Sequence, residues 1–251
     1  MTQISAWRCE HSGATGYMHT PEPPASASSA AAVHDCRVLL CLPPGPEFSR
    51  LFVALGGVAA ALSGAGCQVL RLELPGCGNA AADPAEVRLA HWFCALAAGW
   101  SALDDHAAGR ALCRVAVGAR LAAALLVAEA RYSARSLGGC AAIAPLDGAG
   151  WTADLRATNA AMVAAGARVD GLAGEAWNSA LLADLQAHDW SSCAPRDDGL
   201  LLWRGAANSD WQVAPIEPLA VSWCLPDLPA AFLPTVARSL SAWAAGLAPA
   251  R

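Results

Sequence analysis

No lysine occurs anywhere in the chain, so all of its basic side chains are arginines. That absence excludes a lysine nucleophile and a Schiff-base mechanism. Charge is sparse: 15% of residues are charged and the formal net charge is -5, which excludes the basic footprint expected of a nucleic-acid-binding protein. Apolar runs are broken by Gly, Arg or Pro well before they could span a bilayer, so no membrane span is expected. The start, Met1-Thr2-Gln3-Ile4, lacks a basic patch followed by an apolar run, which reads as no secretory signal and a cytoplasmic protein.

Ten cysteines are present but no C-x-x-C, and Cys36, Cys41, Cys67, Cys113, Cys140 and Cys224 sit inside or beside apolar runs. Reduced, buried thiols fit that placement better than a disulfide framework, a metal site or a redox motif. No metal and no cofactor is expected. Phe and Tyr are scarce, at four and two, whereas Trp numbers ten. Trp151, Trp177, Trp190, Trp211, Trp223 and Trp243 fall in the later half of the chain, either as core filler or as an interaction surface.

The chain of 251 residues is long enough for one large core. Residues 1–36 read as an N-terminal segment, with a weak hairpin over Ile4 to Tyr17 and a Pro/Ala/Ser linker from Pro21 to Ala32. Residues 37–251 form the main domain. Arg37 to Leu42 is an unbroken apolar run, as in a strand buried on both faces, and is stopped by Pro43-Pro44-Gly45-Pro46. A helical pattern follows with Leu51, Phe52, Leu55, Val58, Ala59 and Leu62 on one face. A second strand covers Gln68 to Leu74 and ends at Pro75-Gly76-Cys77-Gly78. The next helix carries Leu89, Phe93, Leu96, Trp100 and Leu103.

A third strand, Leu112 to Val117, turns at Gly118 into an Ala/Leu-rich helix through Tyr132, and a fourth covers Cys140 to Leu146. Such alternation predicts an α/β fold with a mostly parallel sheet and helices on both faces. Leu200 to Trp203 and Leu219 to Trp223 extend the sheet, and a final helix from Ala230 to Leu247 buries Phe232, Val236, Leu240 and Trp243. Residues 147–198 between them are helical in pattern, including Trp177 to Asp189. They form an insertion over the carboxyl ends of the strands, where ligands bind in open α/β sheets: a lid.

The turn after the third strand has the spacing of a nucleophile elbow, G-x-S-x-G, in which small flanking residues let a strained strand-to-helix turn close. Here the run is Gly118-Ala119-Arg120-Leu121-Ala122. Gly118 and Ala122 keep the spacing, but Arg120 stands where the nucleophile would be. A guanidinium cannot be deprotonated in practice and cannot attack a carbonyl. The general base is missing too: His11, His19, His34, His91, His106 and His188 all precede the last two strands. Asp210 stands where a triad acid would, with Asp147 a weaker candidate, although both read more readily as loop carboxylates or turn residues. An oxyanion-hole amide would have to come from Gly45 or Glu47, because the neighbouring prolines have no N–H.

Leu70-Arg71-Leu72-Glu73-Leu74-Pro75-Gly76-Cys77-Gly78-Asn79, the Arg-bearing elbow and Val169 to Glu175 together resemble the α/β-hydrolase-like proteins of the exosortase/PEP-CTERM system, which accompany exopolysaccharide genes. The resemblance runs from Arg37 to the C-terminus. It implies the α/β-hydrolase fold and an association with surface polysaccharide or protein sorting, without fixing a substrate. Asn79, where Asp is more usual, and the Pro-rich loop after the first strand depart from the pattern.

Two functions compete. In one, a degenerate hydrolase binds an anionic small molecule, an acidic sugar or a carboxylate through Arg120, Gly45, Glu47 and Leu121, or Arg120 merely plugs the dead site through an ion pair to Asp147, Asp210 or Glu47. In the other, an ester or peptide hydrolase or an acyltransferase uses Cys77 or Ser49; neither has an obvious His partner, although His91 is placed to approach Cys77. A protein partner from an exosortase or exopolysaccharide cluster belongs to the first.

Overall fold

A computed structural model describes residues 2–22, 36–105, 113–169, 171, 177–191, 193–194, 200–204, 211–213, 232–245 and 247. Its strands are β1 (Thr2–Arg8), β2 (Thr15–Pro21), β3 (Cys36–Cys41), β4 (Gln68–Glu73), β5 (Cys113–Ala119), β6 (Gly139–Ile143), β7 (Leu200–Arg204) and β8 (Gln212–Val213). Its helices are α1 (Glu47–Gly64), α2 (Leu89–Asp105), α3 (Leu121–Tyr132), α4 (Gly148–Ala164), α5 (Ser179–Ala187) and α6 (Phe232–Ala245). The strands form one sheet in the order β1-β2-β4-β3-β5-β6-β7-β8.

The central strands β4, β3, β5 and β6 are parallel. Their side chains divide between two cores by simple alternation. Val38, Leu40, Leu42, Val69, Val115 and Val117 pack with α1 and α6, while Leu39, Cys41, Leu70, Leu72 and Ala116 pack with α2 and α3. All of these residues are at most 1% exposed, as expected of strands covered on both sides. The helix faces follow the sequence pattern closely. Phe52 and Phe93 are only partly buried, however, and Trp92, absent from the expected face, is fully buried and donates its indole N–H to the Pro75 carbonyl at 3.0 Å.

Two features go beyond the sequence reading. The N-terminal hairpin, whose packing the sequence left open, is part of the sheet, because β2 pairs antiparallel with β4, matching Gly16 to Leu72 and Met18 to Leu70. A Cβ at Gly16 would run into the Arg71 backbone, so glycine is what lets β2 approach β4. The Leu200 run does extend the sheet, but antiparallel to β6, and β8 reverses again. The Leu219 to Trp223 run and the Pro21 to Ala32 linker lie outside the described residues, apart from the linker's first two positions.

Candidate functional site: the elbow and its roof

Helix α1 leaves β3 towards one face of the sheet and α3 leaves the adjacent β5 towards the other. Loops that diverge in this way open a crevice above the carboxyl ends of the two strands, the place where such sheets bind ligands. Glu47, first residue of α1, and Arg120, immediately before α3, face each other across it.

Arg120 has φ 54 and ψ -131, a left-handed conformation that costs a residue with a side chain about 1–3 kcal/mol. Two backbone bonds hold it there: its own N–H donates to the Ile143 carbonyl at 2.8 Å, and the Ala123 N–H donates to the Arg120 carbonyl at 3.2 Å. The turn folds α3 back over β5 so closely that a Cβ at Gly118 would stand 2.6 Å from the Ala123 nitrogen. Ala122 is fully buried. The small residues at 118 and 122 therefore do what the elbow spacing requires of them. The chain has the α/β-hydrolase fold.

No protein-family model and no curated protein matches the chain. Solved structures similar to it include an α/β serine hydrolase without a lid from Xanthomonas campestris, at 17% identity and TM-score 0.45, covering 57% of this chain and 61% of that one. A putative hydrolase from Agrobacterium vitis S4 has 16% identity and TM-score 0.46, over 74% and 72% of the two chains. A soluble variant of monoglyceride lipase from Saccharomyces cerevisiae has 15% identity and TM-score 0.44, over 58% and 45%. The matched part thus spans less than two thirds of the Xanthomonas and yeast chains.

At the elbow the guanidinium is engaged on two sides. Arg120 Nε donates to Glu47 Oε1 at 2.9 Å, and a terminal nitrogen donates to Asp154 Oδ2 at 2.5 Å. The Arg120 and Glu47 side chains are only 3% and 4% exposed, whereas Asp154 is 34% exposed. Burial pushes the Glu47 carboxyl above the ordinary carboxylate range; Arg120 opposes that rise and Asp154 adds to it. One arginine thus faces two carboxylates, and the buried one needs that cation to be tolerated at all.

Trp151 on α4 is fully buried and meets Trp177 edge-on at 5.3 Å between ring centroids, while Trp177 meets Trp92 at 6.3 Å. Gly45, with φ +80, lies beneath this pair, so that a Cβ there would stand 3.2 and 3.3 Å from the two indoles. The Trp151 indole faces the Glu47 carboxyl as a hydrogen-bond donor, which favours the ionised form, whereas the Trp177 indole N–H is buried without a hydrogen-bond partner.

The sequence-derived residues therefore separate. Arg120 and Glu47 meet in one of the three pairings expected, Gly45 lies against the Trp151 and Trp177 indoles, and Leu121 is fully buried in the core beside α2 and α3. Asp147 does not join it: it caps α4, accepting from the Gly150 N–H at 2.6 Å. Asp210 lies outside the described residues. Cys77 is 7% exposed and packed in the core, and Ser49 is exposed on α1 with its hydroxyl directed at the Pro46 carbonyl. His91 is exposed and accepts the Arg88 N–H through Nδ1 at 3.2 Å, in an open groove of about 640 Å³ with His188 and Tyr132. Among the described residues, no cluster of three or more His, Cys, Asp or Glu is arranged to hold a metal ion, and no tryptophan is among the exposed large hydrophobic residues.

Sequence reasoning missed Asp154 and Glu73. Asp154 follows Trp151 by three positions, so both share one face of α4; that signal becomes readable only once the helix start is fixed. Glu73, fully buried at the end of β4, accepts from the Asn79 N–H at 2.8 Å and from the Thr15 hydroxyl at 3.5 Å. It ties down the Pro75-to-Gly78 turn through the backbone of Asn79, which is why the side chain at 79 is free to be Asn.

Proposed function

We propose that the protein is a non-catalytic accessory or binding protein built on the hydrolase fold, serving surface-polysaccharide or protein-sorting machinery in the cytoplasm. The observation that carries the non-catalytic reading is the elbow. Its side chain is an arginine that cannot act as nucleophile, and two carboxylates occupy its charge. The sorting and polysaccharide association is supported by the sequence motifs that resemble exosortase-associated proteins. The cytoplasmic assignment is supported by nine described cysteines, all of them free thiols. Residues 147–198 act as a lid, a reading supported by Trp151 and Trp177 lying over Gly45.

An active hydrolase with a substitute nucleophile draws no support from the geometry, because Cys77 is core-packed and Ser49 has its hydroxyl on a backbone carbonyl. The test is labelling of the purified protein with a fluorophosphonate and, separately, an iodoacetamide probe, read by intact mass. The expected result is no fast adduct with the fluorophosphonate and none on Cys77. A rapid single adduct that denaturation abolishes would sink the reading, and peptide mapping would name the nucleophile.

A further inference from the structure

Cys36, Cys67 and Cys113 stand side by side on three neighbouring strands, at the end of the sheet opposite the elbow. Cys36 opens β3, Cys113 opens β5, and the two are register partners. Cys67 precedes β4 by one position, where the Arg37–Gln68 pairing puts it on the other side of Cys36. Residues paired across a ladder point to the same face, and all three belong to the core beneath α1 and α6. The thiols thus form a row with Cys36 in the middle, 3% exposed, between Cys67 at 0% and Cys113 at 9%. All three are free, and a row of this kind does not enclose a point at which a metal ion would be held.

Two features set the row apart from plain core filler. The first is room. A Cβ at Gly138 would stand 2.3 Å from the Cys113 sulfur, so the partly buried residue beside that sulfur has no side chain. Gly138 does not have a left-handed φ, so the thiol rather than the backbone calls for glycine there. The second is polarity. A hydrogen bond with Cys36 holds the Cys113 thiol below the ordinary thiol range, against burial, which raises it. Cys36 is pushed up by that contact, by its hydrogen bond with Cys67 and by burial. Cys67 is lowered as Cys113 is, but it is wholly buried. Cys113 is therefore the nucleophilic thiol of the row that a small reagent reaches first.

We propose that Cys113 and Cys36 form a reversible thiol–disulfide site at the amino end of the sheet, in which a hydroperoxide oxidises Cys113 and Cys36 resolves it. The site is independent of the elbow, which lies at the far end of the same strands. In the first step the Cys113 thiolate attacks the peroxide: an S–O bond forms, the O–O bond breaks, and water or an alcohol leaves. In the second, the Cys36 sulfur attacks the sulfenic acid at Cys113. The S–S bond forms, the S–O bond breaks, and hydroxide leaves with the Cys36 proton as a second water. The peroxide is reduced by two electrons and the two thiols are oxidised by two. Neighbouring strands lie about 4.7–4.9 Å apart, inside the Cα separation of about 4.4–6.8 Å that a disulfide spans. The bridge sits at the short end of that range, so it forms with strain and a thiol reductant reopens it.

The test treats the full-length protein with hydrogen peroxide, blocks the remaining thiols with N-ethylmaleimide and maps peptides without reduction. The first product should be a Cys36–Cys113 disulfide that dithiothreitol reverses. It should form about tenfold faster than Cys94 is oxidised, although Cys94 is exposed on α2 and would react first if access alone decided. In urea the two thiols should be oxidised at similar rates. Cys67→Ser should leave the bridge intact, whereas Cys36→Ser should stop Cys113 at the sulfenic acid, captured by dimedone. Oxidation of Cys94 ahead of an untouched row would overturn the proposal and leave three packing thiols. A bridge that appears only once urea has unfolded the protein would overturn it equally. A Cys36–Cys67 disulfide as first product would overturn the assignment of Cys113 as the attacking thiol.

Discussion

Replacing Arg120 by methionine keeps most of the stem volume and removes the charge. What it leaves behind decides the outcome: a Glu47 carboxylate 4% exposed, with only the Trp151 indole left to face it and no cation. Breaking a buried pair by removing one member costs about 3–5 kcal/mol. Release of Asp154, one-third exposed, adds under about 1 kcal/mol because water already screens it. At pH 8 the variant should therefore lose about 3–5 kcal/mol, a fall in Tm of roughly 6–20 °C for a chain of this size. Glu47 is already pushed above its ordinary value by burial, and loss of the opposing arginine pushes it further up. A carboxyl with a raised folded-state pKa binds its proton more tightly in the folded protein. Stability is then highest at low pH and is lost as pH rises from the ordinary carboxylate value through the raised one. The deficit relative to wild type should thus be small near pH 5 and full at pH 8, as read by urea denaturation at both. A loss below about 1 kcal/mol that does not change with pH would refute the buried-pair reasoning.

Glu47→Gln should make wild-type stability less dependent on pH above the ordinary carboxylate range, because the carboxyl whose raised pKa generates that slope is gone; thermal melts across that range check it. Gly118→Ala should cost about 2 kcal/mol or more in chemical denaturation, since its Cβ would meet the Ala123 backbone rather than a yielding side chain. Gly57→Ala on exposed α1 surface, with nothing within 4 Å of the added atom, should instead stabilise by about 0.5–1 kcal/mol. Gly78→Ala should destabilise as Gly118→Ala does, because a Cβ at its φ of +56 would overlap the Phe48 ring and the Glu73 carboxylate.

Local patterns carried most of the architecture. Arg37 to Leu42, Gln68 to Leu74 and the Gly118 turn each state their structure within a few residues, through unbroken apolar runs and abrupt Gly/Pro stops, and the observed strands match to within a residue or two. What stayed illegible depends on contacts between distant segments. The hairpin near Met18 has no local sign that it will pair with Leu70, and the apolar run at Leu200 has no sign of its direction. In the site, Arg120 was readable because elbow spacing is local, and Glu47 because it follows the loop after the first strand. Asp154 was not, because its meeting with Arg120 depends on how α4 crosses the crevice, which no short-range pattern encodes.

The strain at position 120 offers a sharper way to ask why an arginine is there. A glycine would adopt φ 54 without penalty and so recover about 1–3 kcal/mol of backbone strain. If the elbow were only a relic of a lost nucleophile, Arg120→Gly would leave stability unchanged or raise it. The buried Glu47 says otherwise, because losing its cation costs about 3–5 kcal/mol, more than the strain relieved. Arg120→Gly should therefore be destabilising by about 2 kcal/mol in the wild-type background, the mid-range difference between those two effects. In a Glu47→Gln background no buried charge is left on α1 to orphan, and the same substitution should become neutral or stabilising. A change of sign between the two backgrounds, measured as a double-mutant cycle by urea denaturation, is what the geometry requires. Equal effects in both would mean that the arginine is held at the elbow for a reason unrelated to the carboxylate beneath it.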